Sequence, residues 1–478
     1  MKTYPLYLNG KLTITESNLV VINPANGEPL ARMSTADRST VVQALSDAHA
    51  AFLQWRPVPG KQRGELLRKL ADELDRRRDE MARLITLENG KPLTQSQGEV
   101  SMSVDHLRWF AEEARRGYGR LVPNQVEDKR HLVFKTPIGV VAAISPWNFP
   151  LVLAVRKIAP ALAAGCSVIL KPASRTPLCA SLFAECADAV SLPKGVFQIV
   201  LGSASAIAKE FLDNPLCRKI TFMGSTEVGK QLIEGAARHV KPLSLELGGH
   251  APVIVFEDAE LNTAIDGTML AKFRNSGQSC IAANRIYVQR PLYDAFLNAL
   301  VGKVQALNVG EGLEPRTHIG PLIDEEAVAK ASEHVEDALR GGARLLCGGK
   351  RLQRPGWFFE PTVLADVPKG ALCMYEETFA PIAAVCPFDT EAQAIEQANQ
   401  SRYGLSAYAF TRDIGRMFRL AESLETGMLG INDGVPTTSQ APFGGVKESG
   451  WGRELGSEGM EAFLETKHVS VGISGLAS

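Results

Sequence analysis

Helical periodicity dominates the early part of the chain. Between Thr40 and Gly117, apolar residues recur every three or four positions among charged ones, as in KQRGELLRKLADELDRRRDEMARLITLENG. That spacing gathers the apolar side chains on one face of each helix. The arginines at 76–78 are better explained as part of the solvated face than as a binding patch. The pattern predicts a block of amphipathic helices over 40–117.

Short β-branched runs alternate with alanine-rich helical segments after residue 138. The runs VVAAI, CSVILKP and VFQIVLG are separated by LVLAVRKIAPALAAG and CASLFAECADAV. This alternation predicts a parallel sheet covered by helices. A second set of runs, APVIVFEDA, NRIYVQ and LGINDG, follows the glycine-rich segment ELGGHAP. The sequence therefore predicts an α/β protein with two α/β units that divide near residue 248.

Composition narrows the classes of function. A chain of 478 residues exceeds one ordinary hydrophobic core, and a net charge of −1 provides no basic field for nucleic acid. The start MKTYPLYLNGKLTI lacks the apolar core of a secretory signal, so we expect a cytoplasmic protein without a membrane partner. The eight cysteines form no CxxC pair and the eight histidines no HExxH motif, so no bound metal is expected.

Two segments have the composition of dinucleotide-binding loops. In RKITFMGSTEVGK, an apolar run meets Gly224 and Ser225, which would present helix N-terminal N–H groups to a phosphate. An N-capped helix without a ligand fits the same pattern. In VILKPASRTP, Lys171 ends a predicted strand, where it can bond ribose hydroxyls, and Ser174 with Arg175 can accept a 2′-phosphate. An exposed lysine at a strand end is the alternative.

Three further segments carry candidate catalytic groups. The prolines of ISPWNFP restrict the backbone at Asn148, whose amide either donates to an oxyanion or caps the next helix. Glu246 of LSLELGGHAP lies among apolar residues, where it is either a buried base with a raised pKa or a side chain turned to solvent. Small residues surround Cys280 in FRNSGQSCIAANR, which is either a nucleophile served by a distant base or a buried inert thiol.

These segments occur in a fixed order along the chain, as PWNFP, KPAS, FMGST, LELGGHAP, FRNSGQSC, EETFAP and PFGGVKESGWGRE. In this order they resemble the aldehyde dehydrogenase superfamily, nearly end to end. The resemblance implies an α/β fold with a Rossmann-like cofactor domain, an α/β catalytic domain and a small β oligomerisation element that forms a homodimer or homotetramer. It places the cofactor domain in 1–117, 138–248 and 449–463, the catalytic domain in 249–448, and the oligomerisation element in 118–137 and 464–478.

The resemblance also implies roles for single residues. Cys280 would attack the aldehyde, Asn148 would hold the oxyanion, and Glu246 would activate the water that hydrolyses the thioester. NADP would be preferred and NAD accepted, because Ser174 stands where NAD-preferring relatives carry glutamate and Arg175 lies beside it. The implied cofactor-binding residues are Ile144, Ser145, Pro146, Trp147, Lys171, Ser174, Arg175, Gly224, Ser225, Glu377 and Phe379.

Within the superfamily the chain is most similar to enzymes that oxidise succinate semialdehyde. Arg156 and Arg285 would place two guanidinium groups at the mouth of an uncharged tunnel, where they would favour a small anionic aldehyde. Structural ion pairs are the alternative explanation of these two arginines. The semialdehydes of glutarate and 2-oxoglutarate compete as substrates, as do phosphonate- or sulfonate-bearing aldehydes. The implied substrate-binding residues are Arg156, Arg285, Thr437, Thr438 and Phe443.

Two other classes of function compete with an oxidoreductase. A cofactor-independent cysteine hydrolase would need a histidine partner, and no histidine lies within twenty residues of Cys280. A non-catalytic binding protein would have no need of the cysteine, glutamate and asparagine that stand together in the expected motifs.

Overall fold

The computed structural model describes residues 1–473, in which 23 strands form five sheets. In chain order the strands are β1 Thr3–Tyr4, β2 Leu6–Leu8, β3 Lys11–Thr13, β4 Asn18–Ile22, β5 Pro29–Ser34, β6 Arg120–Val122, β7 Lys129–Pro137, β8 Val140–Ile144, β9 Ser167–Lys171, β10 Phe197–Ile199, β11 Cys217–Met223, β12 Leu243–Glu246, β13 Ala251–Val255, β14 Ala283–Gln289, β15 Arg344–Cys347, β16 Thr362–Ala365, β17 Ile382–Phe388, β18 Tyr403–Gly404, β19 Ser406–Phe410, β20 Met428–Ile431, β21 Val446–Lys447, β22 Gly450–Trp451 and β23 Leu464–Gly472.

Helices separate most of these strands, and polar side chains cap several helix starts. Asp37, Ser225 and Asp324 each accept a hydrogen bond from a backbone N–H in the first turn that follows. The helices are α1 Arg38–Trp55, α2 Gly60–Arg76, α3 Arg78–Asn89, α4 Leu93–Glu113, α5 Val152–Ala164, α6 Leu178–Ala189, α7 Ala204–Asp213, α8 Thr226–Ala237, α9 Leu261–Phe273, α10 Arg290–Gln305, α11 Glu325–Arg340, α12 Glu391–Asn399, α13 Ile414–Ser423 and α14 Glu458–Glu461, with 3₁₀ turns at Arg274–Gly277 and Leu372–Met374.

An eight-stranded sheet forms the first α/β unit, in the order β22-β12-β11-β8-β9-β10-β2-β3. Its five central strands are parallel. Alternate residues of β8 enter different cores: Val140 and Ala142 pack with α1, α7 and α8, while Val141 and Ala143 pack with α2–α6. Because helices cover both faces, every residue of β8 and β9 is buried, and the strands read as continuous apolar runs.

The chain reverses its direction across this sheet between β8 and β11. From β8 it steps through β9 to β10 on one side, and it then returns to place β11 and β12 on the other side. The loops that follow β8 and β11 therefore diverge and leave a crevice at the carboxyl ends of the strands, which is where open α/β sheets bind ligands.

A seven-stranded sheet forms the second unit, in the order β15-β16-β17-β14-β13-β19-β20. Its strands are parallel except for β15. The core on one face includes residues of α11, α12 and α13, and the core on the other face includes residues of α9 and α10. Since β13 begins two residues after Gly249 and β14 three residues after Cys280, the amino ends of this sheet meet the crevice of the first sheet.

A third, antiparallel sheet joins β6, β7 and β23. Strand β23 pairs with β7 over nine residues, from Leu464 opposite Pro137 to Gly472 opposite Lys129. Two small sheets, β1-β5-β4 and β18-β21, complete the fold. The oligomerisation role of 118–137 and 464–478 stays a prediction, and its last residues, 474–478, lie outside the described part of the chain.

The structure confirms the α/β fold and the elements that the sequence pattern predicts. The helical block over 40–117 is formed by α1 to α4, and the predicted β-branched runs are β8, β9, β10, β13, β14 and β20. Within residues 1–473, no helix is both long and apolar enough to cross a membrane.

Candidate active site

Cys280 lies at the crevice between the two large sheets, and it lines two cavities there. The larger cavity, of about 240 Å³, also contains Asn148. Glu246, the last residue of β12, is buried near enough for its charge to affect the pKa of Cys280. The fold thus brings together three residues that are separated by up to 132 positions (280 − 148) in the chain.

The segment before Cys280 adopts a left-handed backbone conformation that residues other than glycine rarely adopt. Asn275, Ser276 and Gly277 have φ angles of 52°, 55° and 73° and form a buried left-handed turn at the end of α9. Hydrogen bonds hold this turn: the Asn275 N–H donates to Gln95 Oε1 at 2.8 Å, and Ser276 Oγ donates to the Gly320 carbonyl at 2.9 Å. Strain of this kind persists only where the surroundings over-determine the conformation, and it is concentrated at functional sites.

Gly249 allows the nucleophile segment to approach the end of the first sheet. A Cβ atom at this position would lie 2.0 Å from the carbonyl oxygen of Cys280, which is far inside van der Waals contact. The glycine pair of ELGGHAP therefore has a packing reason as well as a boundary role.

The backbone of Asn148 is held by two buried side chains. Its carbonyl oxygen accepts from Lys91 Nζ at 2.7 Å and from Asn275 Nδ2 at 2.8 Å. The Asn148 amide donates to the Gln278 carbonyl at 3.1 Å, which uses one of its two N–H groups. The second N–H group remains available for an oxygen atom in the cavity.

A buried ion pair connects Lys91 to the same loop. Lys91 Nζ donates to Glu99 Oε2 at 2.7 Å, and Glu99 Oε1 accepts the backbone N–H groups of Leu151 and Val152 at 2.9 and 3.2 Å. Glu99 thereby satisfies N–H groups at the start of α5 that have no partner inside the helix.

Burial raises the pKa of both the Cys280 thiol and the Glu246 carboxyl group. Desolvation, together with the charge of Glu377, raises the pKa of the Cys280 thiol to about 12. Desolvation and the charge of Glu454 hold the pKa of Glu246 well above its ordinary value. Glu454 is itself bonded to Lys157, and Glu246 Oε2 is buried without a hydrogen-bond partner. A proton acceptor with a raised pKa beside a protonated thiol is the arrangement that acid–base chemistry requires.

The cavity of about 240 Å³ is lined by several of the predicted cofactor-binding residues. Gly224 and Ser225 line it at the start of α8, where free N–H groups favour phosphate. Ser225 Oγ also accepts the Val228 N–H, so the predicted ligand loop and the alternative N-capped helix are both present. The rings of Trp147 and Phe379, which line the cavity, pack edge to face with their centroids 5.5 Å apart.

Two charged residues complete the wall of this cavity. Glu377 Oε1 accepts the Gly249 N–H at 3.0 Å, and burial raises the pKa of Glu377 to about 7. Lys330, which sequence reasoning missed, donates to the Glu377 carbonyl at 2.6 Å. Lys330 lies on the amphipathic helix α11, where a lysine is ordinarily exposed to solvent, so no signal in the sequence identifies it as a residue of the cavity. Of the predicted cofactor residues, Pro146, Trp147, Gly224, Ser225, Glu377 and Phe379 line the cavity.

The remaining predicted cofactor residues do not line this cavity. Lys171 is buried at the end of β9, where desolvation lowers its pKa and Nζ donates to the Pro172 carbonyl at 3.2 Å. Arg175 is about half exposed and pairs with Asp324 at 2.6 Å, while Ser174 is partly buried. Ile144 is the last residue of β8, and Ser145, which follows it, is buried and donates its N–H to the Lys171 carbonyl at 3.2 Å.

The smaller cavity, of about 20 Å³, carries two guanidinium groups. Arg156 lies with Cζ 4.5 Å from the centre of the Phe443 ring, and Arg274 with Cζ 5.3 Å from the centre of the Phe149 ring. Within residues 1–473, no carboxylate lies within 4.0 Å of either group. Thr437 also lines the cavity, and its Oγ1 is buried without a hydrogen-bond partner.

Two of the predicted substrate residues lie elsewhere. Thr438 is exposed and donates to Gln440 Oε1 at 2.7 Å. The prediction for Arg285 is wrong, because this side chain is fully engaged with backbone carbonyls of His250, Gln397 and Ala398. The alternation of β14 turns it toward α12, away from Cys280. Arg274 provides the second guanidinium instead, six residues before Cys280 in FRNSGQSC.

The fold and the site define an NAD(P)-dependent aldehyde dehydrogenase. The chain belongs to the aldehyde dehydrogenase family, whose model matches residues 13–469. It is 49% identical over 453 residues to succinate-semialdehyde dehydrogenase (NADP⁺) GabD of Escherichia coli (strain K12), covering 95% of this chain and 94% of that protein. It is 48% identical over 452 residues to glutarate-semialdehyde dehydrogenase of Pseudomonas aeruginosa, with coverage of 95% and 94%.

A solved structure has the same fold. The crystal structure of an E. coli NADP-dependent enzyme superposes with a TM-score of 0.97 at 47% identity, covering 98% of both chains. None of these similarities supports a cofactor-independent hydrolase. Within residues 1–473, no three His, Cys, Asp or Glu side chains are grouped to hold a metal ion.

The raised pKa of Cys280 predicts how the thiol reacts with iodoacetamide when no cofactor or substrate is present. Since only the thiolate reacts, and its fraction grows tenfold per pH unit below the pKa, labelling should accelerate about a hundredfold from about pH 7 to about pH 9. Mass spectrometry of the Cys280 peptide gives the rate, and Cys280→Ala gives the background from the other cysteines. A rate that levels off below about pH 8 would show that the resting thiol is already ionised.

Proposed function

We propose that this aldehyde dehydrogenase oxidises a short aldehyde with an anionic group at its far end, succinate semialdehyde first among them, to the corresponding acid. The observation that carries the proposal is the pair of guanidinium groups, Arg156 and Arg274, at the cavity beside Cys280 with no carboxylate partner. Glutarate semialdehyde is the second candidate, because the same pair fits a longer dicarboxylate product.

Physical chemistry supports an anion in this cavity. Burial lowers the pKa of both guanidinium groups, which records the cost of keeping a positive charge out of water. A substrate carboxylate offsets that cost through charge-assisted hydrogen bonds of about 1.5–3 kcal/mol each. The buried, unpartnered hydroxyl of Thr437 provides one further donor. The relatives named for succinate and glutarate semialdehydes are consistent with such a substrate.

The catalytic residues act in two stages under this proposal. The Cys280 sulfur forms a bond to the aldehyde carbon and its proton passes to Glu246, while the Asn148 amide and the Cys280 N–H hold the oxyanion. NAD(P), when bound, supplies the hydride acceptor that oxidises this adduct to a thioester. Glu246 passes the thiol proton to solvent and then takes a proton from water, whose oxygen attacks the thioester. The carbon–sulfur bond breaks, Glu246 returns the proton to the sulfur, and the acid leaves with the thiol restored.

We infer a preference for NADP from the loop that follows β9. Ser174 leaves room for a 2′-phosphate where a carboxylate would repel it. Arg175 lies beside it and is about half exposed, although its ion pair with Asp324 must open or share the charge. The E. coli relative is named for NADP⁺, which agrees with this preference.

We also infer a homodimer or homotetramer, with the β6-β7-β23 sheet at the subunit interface. Leu121 is 77% exposed and Phe134 46% exposed on this sheet. Apolar side chains on an open antiparallel sheet favour pairing with a second chain. The cytoplasmic location stays a prediction.

Glu246→Gln tests the role of the glutamate in hydrolysis. The Glu246→Gln variant is first equilibrated at alkaline pH and then rapidly mixed with NADP and succinate semialdehyde. It should release one NADPH per active site. Steady turnover should then fall about 10²–10⁴-fold, the contribution of a general base. Cys280→Ala should give no burst. A burst followed by wild-type turnover would refute the assignment.

Arg274→Gln tests the anion site. It should lower kcat/KM for succinate semialdehyde by about 10–100-fold, mainly through KM, and change butanal oxidation little, because only the anionic aldehyde loses a charge-assisted bond. Arg290→Gln, an exposed arginine of the same domain, is the matched control. The substrate panel includes glutarate semialdehyde and aldehydes that carry a phosphonate or sulfonate. A wild-type enzyme without preference for anionic aldehydes would overturn the proposed substrate class.

Ser174→Glu tests the preference for NADP. The introduced carboxylate should repel the 2′-phosphate and lower the ratio of kcat/KM for NADP to that for NAD by about tenfold or more. Ser205→Glu places the same charge on an exposed part of the cofactor domain and should leave the ratio unchanged. An unchanged ratio in Ser174→Glu would mean that another part of the chain selects the cofactor.

A further inference from the structure

The guanidinium group of Arg156 is held on two sides. Its Nε donates to His106 Nε2 at 3.3 Å, and its planar face lies over the Phe443 ring. Within residues 1–473, the Nη1 and Nη2 atoms have no hydrogen bond and no ion pair. Arg156 is therefore oriented through one atom, while both terminal nitrogens stay available in the cavity beside Cys280.

The contact with Arg156 decides the tautomer of His106. An arginine Nε always carries a proton, so His106 Nε2 must act as the acceptor. The only ring proton of the neutral histidine then lies on Nδ1, which donates to Ser439 Oγ at 2.7 Å. Burial and the charge of Arg156 hold the pKa of His106 well below its ordinary value, which keeps the ring neutral.

The chain of donors continues to the protein surface. With Nδ1–H of His106 directed at its oxygen, the Ser439 hydroxyl donates its own proton to Asp105 Oδ2. Each group thus donates to the next, in the order Arg156, His106, Ser439, Asp105, and the chain ends on an exposed carboxylate. His106 and Ser439 are 1% and 3% exposed, so solvent does not compete for their bonds.

The four members come from three parts of the fold. Asp105 and His106 belong to α4, Arg156 belongs to α5, and Ser439 lies in the loop between β20 and β21. The same loop carries Thr437, which lines the substrate cavity. The chain of hydrogen bonds therefore couples two walls of that cavity through the helix behind them.

A neutral partner has a consequence that an acidic partner would not have. A carboxylate in the place of His106 would orient Arg156 equally well, but it would neutralise the guanidinium and compete with the substrate anion. The imidazole accepts one hydrogen bond and leaves the full positive charge in the cavity. The carboxylate that ends this series of hydrogen bonds, on Asp105, lies two hydrogen bonds beyond His106.

We propose that His106 and Ser439 are positioning residues that determine specificity for the anionic aldehyde. The directed chain from Arg156 to Asp105 fixes the plane of the guanidinium so that Nη1 and Nη2 meet the distal anion of the substrate, and it does so without reducing the charge of Arg156. This inference rests on the proposed function, since it assigns these residues to the binding of the substrate anion.

The test compares succinate semialdehyde with butanal, an uncharged aldehyde of equal carbon number. His106→Leu removes both hydrogen bonds and should lower kcat/KM for succinate semialdehyde about tenfold or more, through KM, with kcat nearly unchanged. Butanal oxidation should change less than about threefold. His106→Gln should recover most of the loss, because its amide can accept from Arg156 and donate to Ser439. Ser439→Ala should show the same pattern with a smaller effect.

The control is Ser103→Ala, a buried serine one turn earlier on α4 that bonds only to the helix backbone, and it should match the wild type. A parallel fall of kcat/KM for both aldehydes in His106→Leu, or an unchanged KM for succinate semialdehyde, would overturn the inference. The proposed function stays intact in that case if the wild-type enzyme prefers anionic aldehydes. A wild type without that preference would overturn both. If a thermal melt shows that His106→Leu does not fold, the test uses His106→Gln and Ser439→Ala. A wild-type KM for succinate semialdehyde in Ser439→Ala would then refute the proposed role of the hydrogen-bond series.

Discussion

The hydrogen bonds at the carbonyl oxygen of Asn148 hold the active site together. Lys91 reaches this oxygen from the loop between α3 and α4, and Asn275 reaches it from the turn that carries Cys280. One backbone atom therefore connects the helical block, the eight-stranded sheet of the first α/β unit and the segment that leads into the seven-stranded sheet of the second. Because both donors are buried, the loss of either one removes a hydrogen bond that solvent does not replace. These bonds fix the position of the Asn148 backbone and, with it, the reach of its side chain.

Cys280 lies among acidic and basic side chains. Burial is the main cause of the raised pKa of its thiol, and the carboxyl groups of Glu377, Glu246 and Glu454 raise it further, whereas Arg156 lowers it. The guanidinium groups of Arg156 and Arg274 line the smaller cavity, and within residues 1–473 no carboxylate lies within 4.0 Å of either group. Under the proposed function, the guanidinium groups draw an anionic aldehyde to this cavity and Glu246 is the proton acceptor. The arrangement combines general-base chemistry and recognition of an anion within one crevice.

Much of this architecture can be predicted from local patterns. The continuous apolar runs of β8 and β9 indicate strands buried on both faces, and the glycines at 224 and 249 mark places where the backbone must come close to another group. The order of the motifs identifies the family and with it the candidates Asn148, Glu246 and Cys280. Lys330 shows the limit of such patterns, because its helix position is that of an ordinary solvated lysine and only the packing of α11 brings it to the cofactor cavity.

The sequence by itself determined the α/β class, the family and the catalytic residue types, because these depend on periodicity and on motifs whose members are close in the chain. The tertiary structure decided which arginine lies at the cavity beside Cys280. Arg285 is turned by the pleat of β14 into carbonyl groups of the catalytic domain, whereas the left-handed turn after α9 leaves Arg274 at the cavity. It likewise selected Thr437 over Thr438 and joined His106 to Ser439 across 333 residues. Side-chain direction depends on strand register and on distant packing, and neither is encoded in a short stretch of sequence.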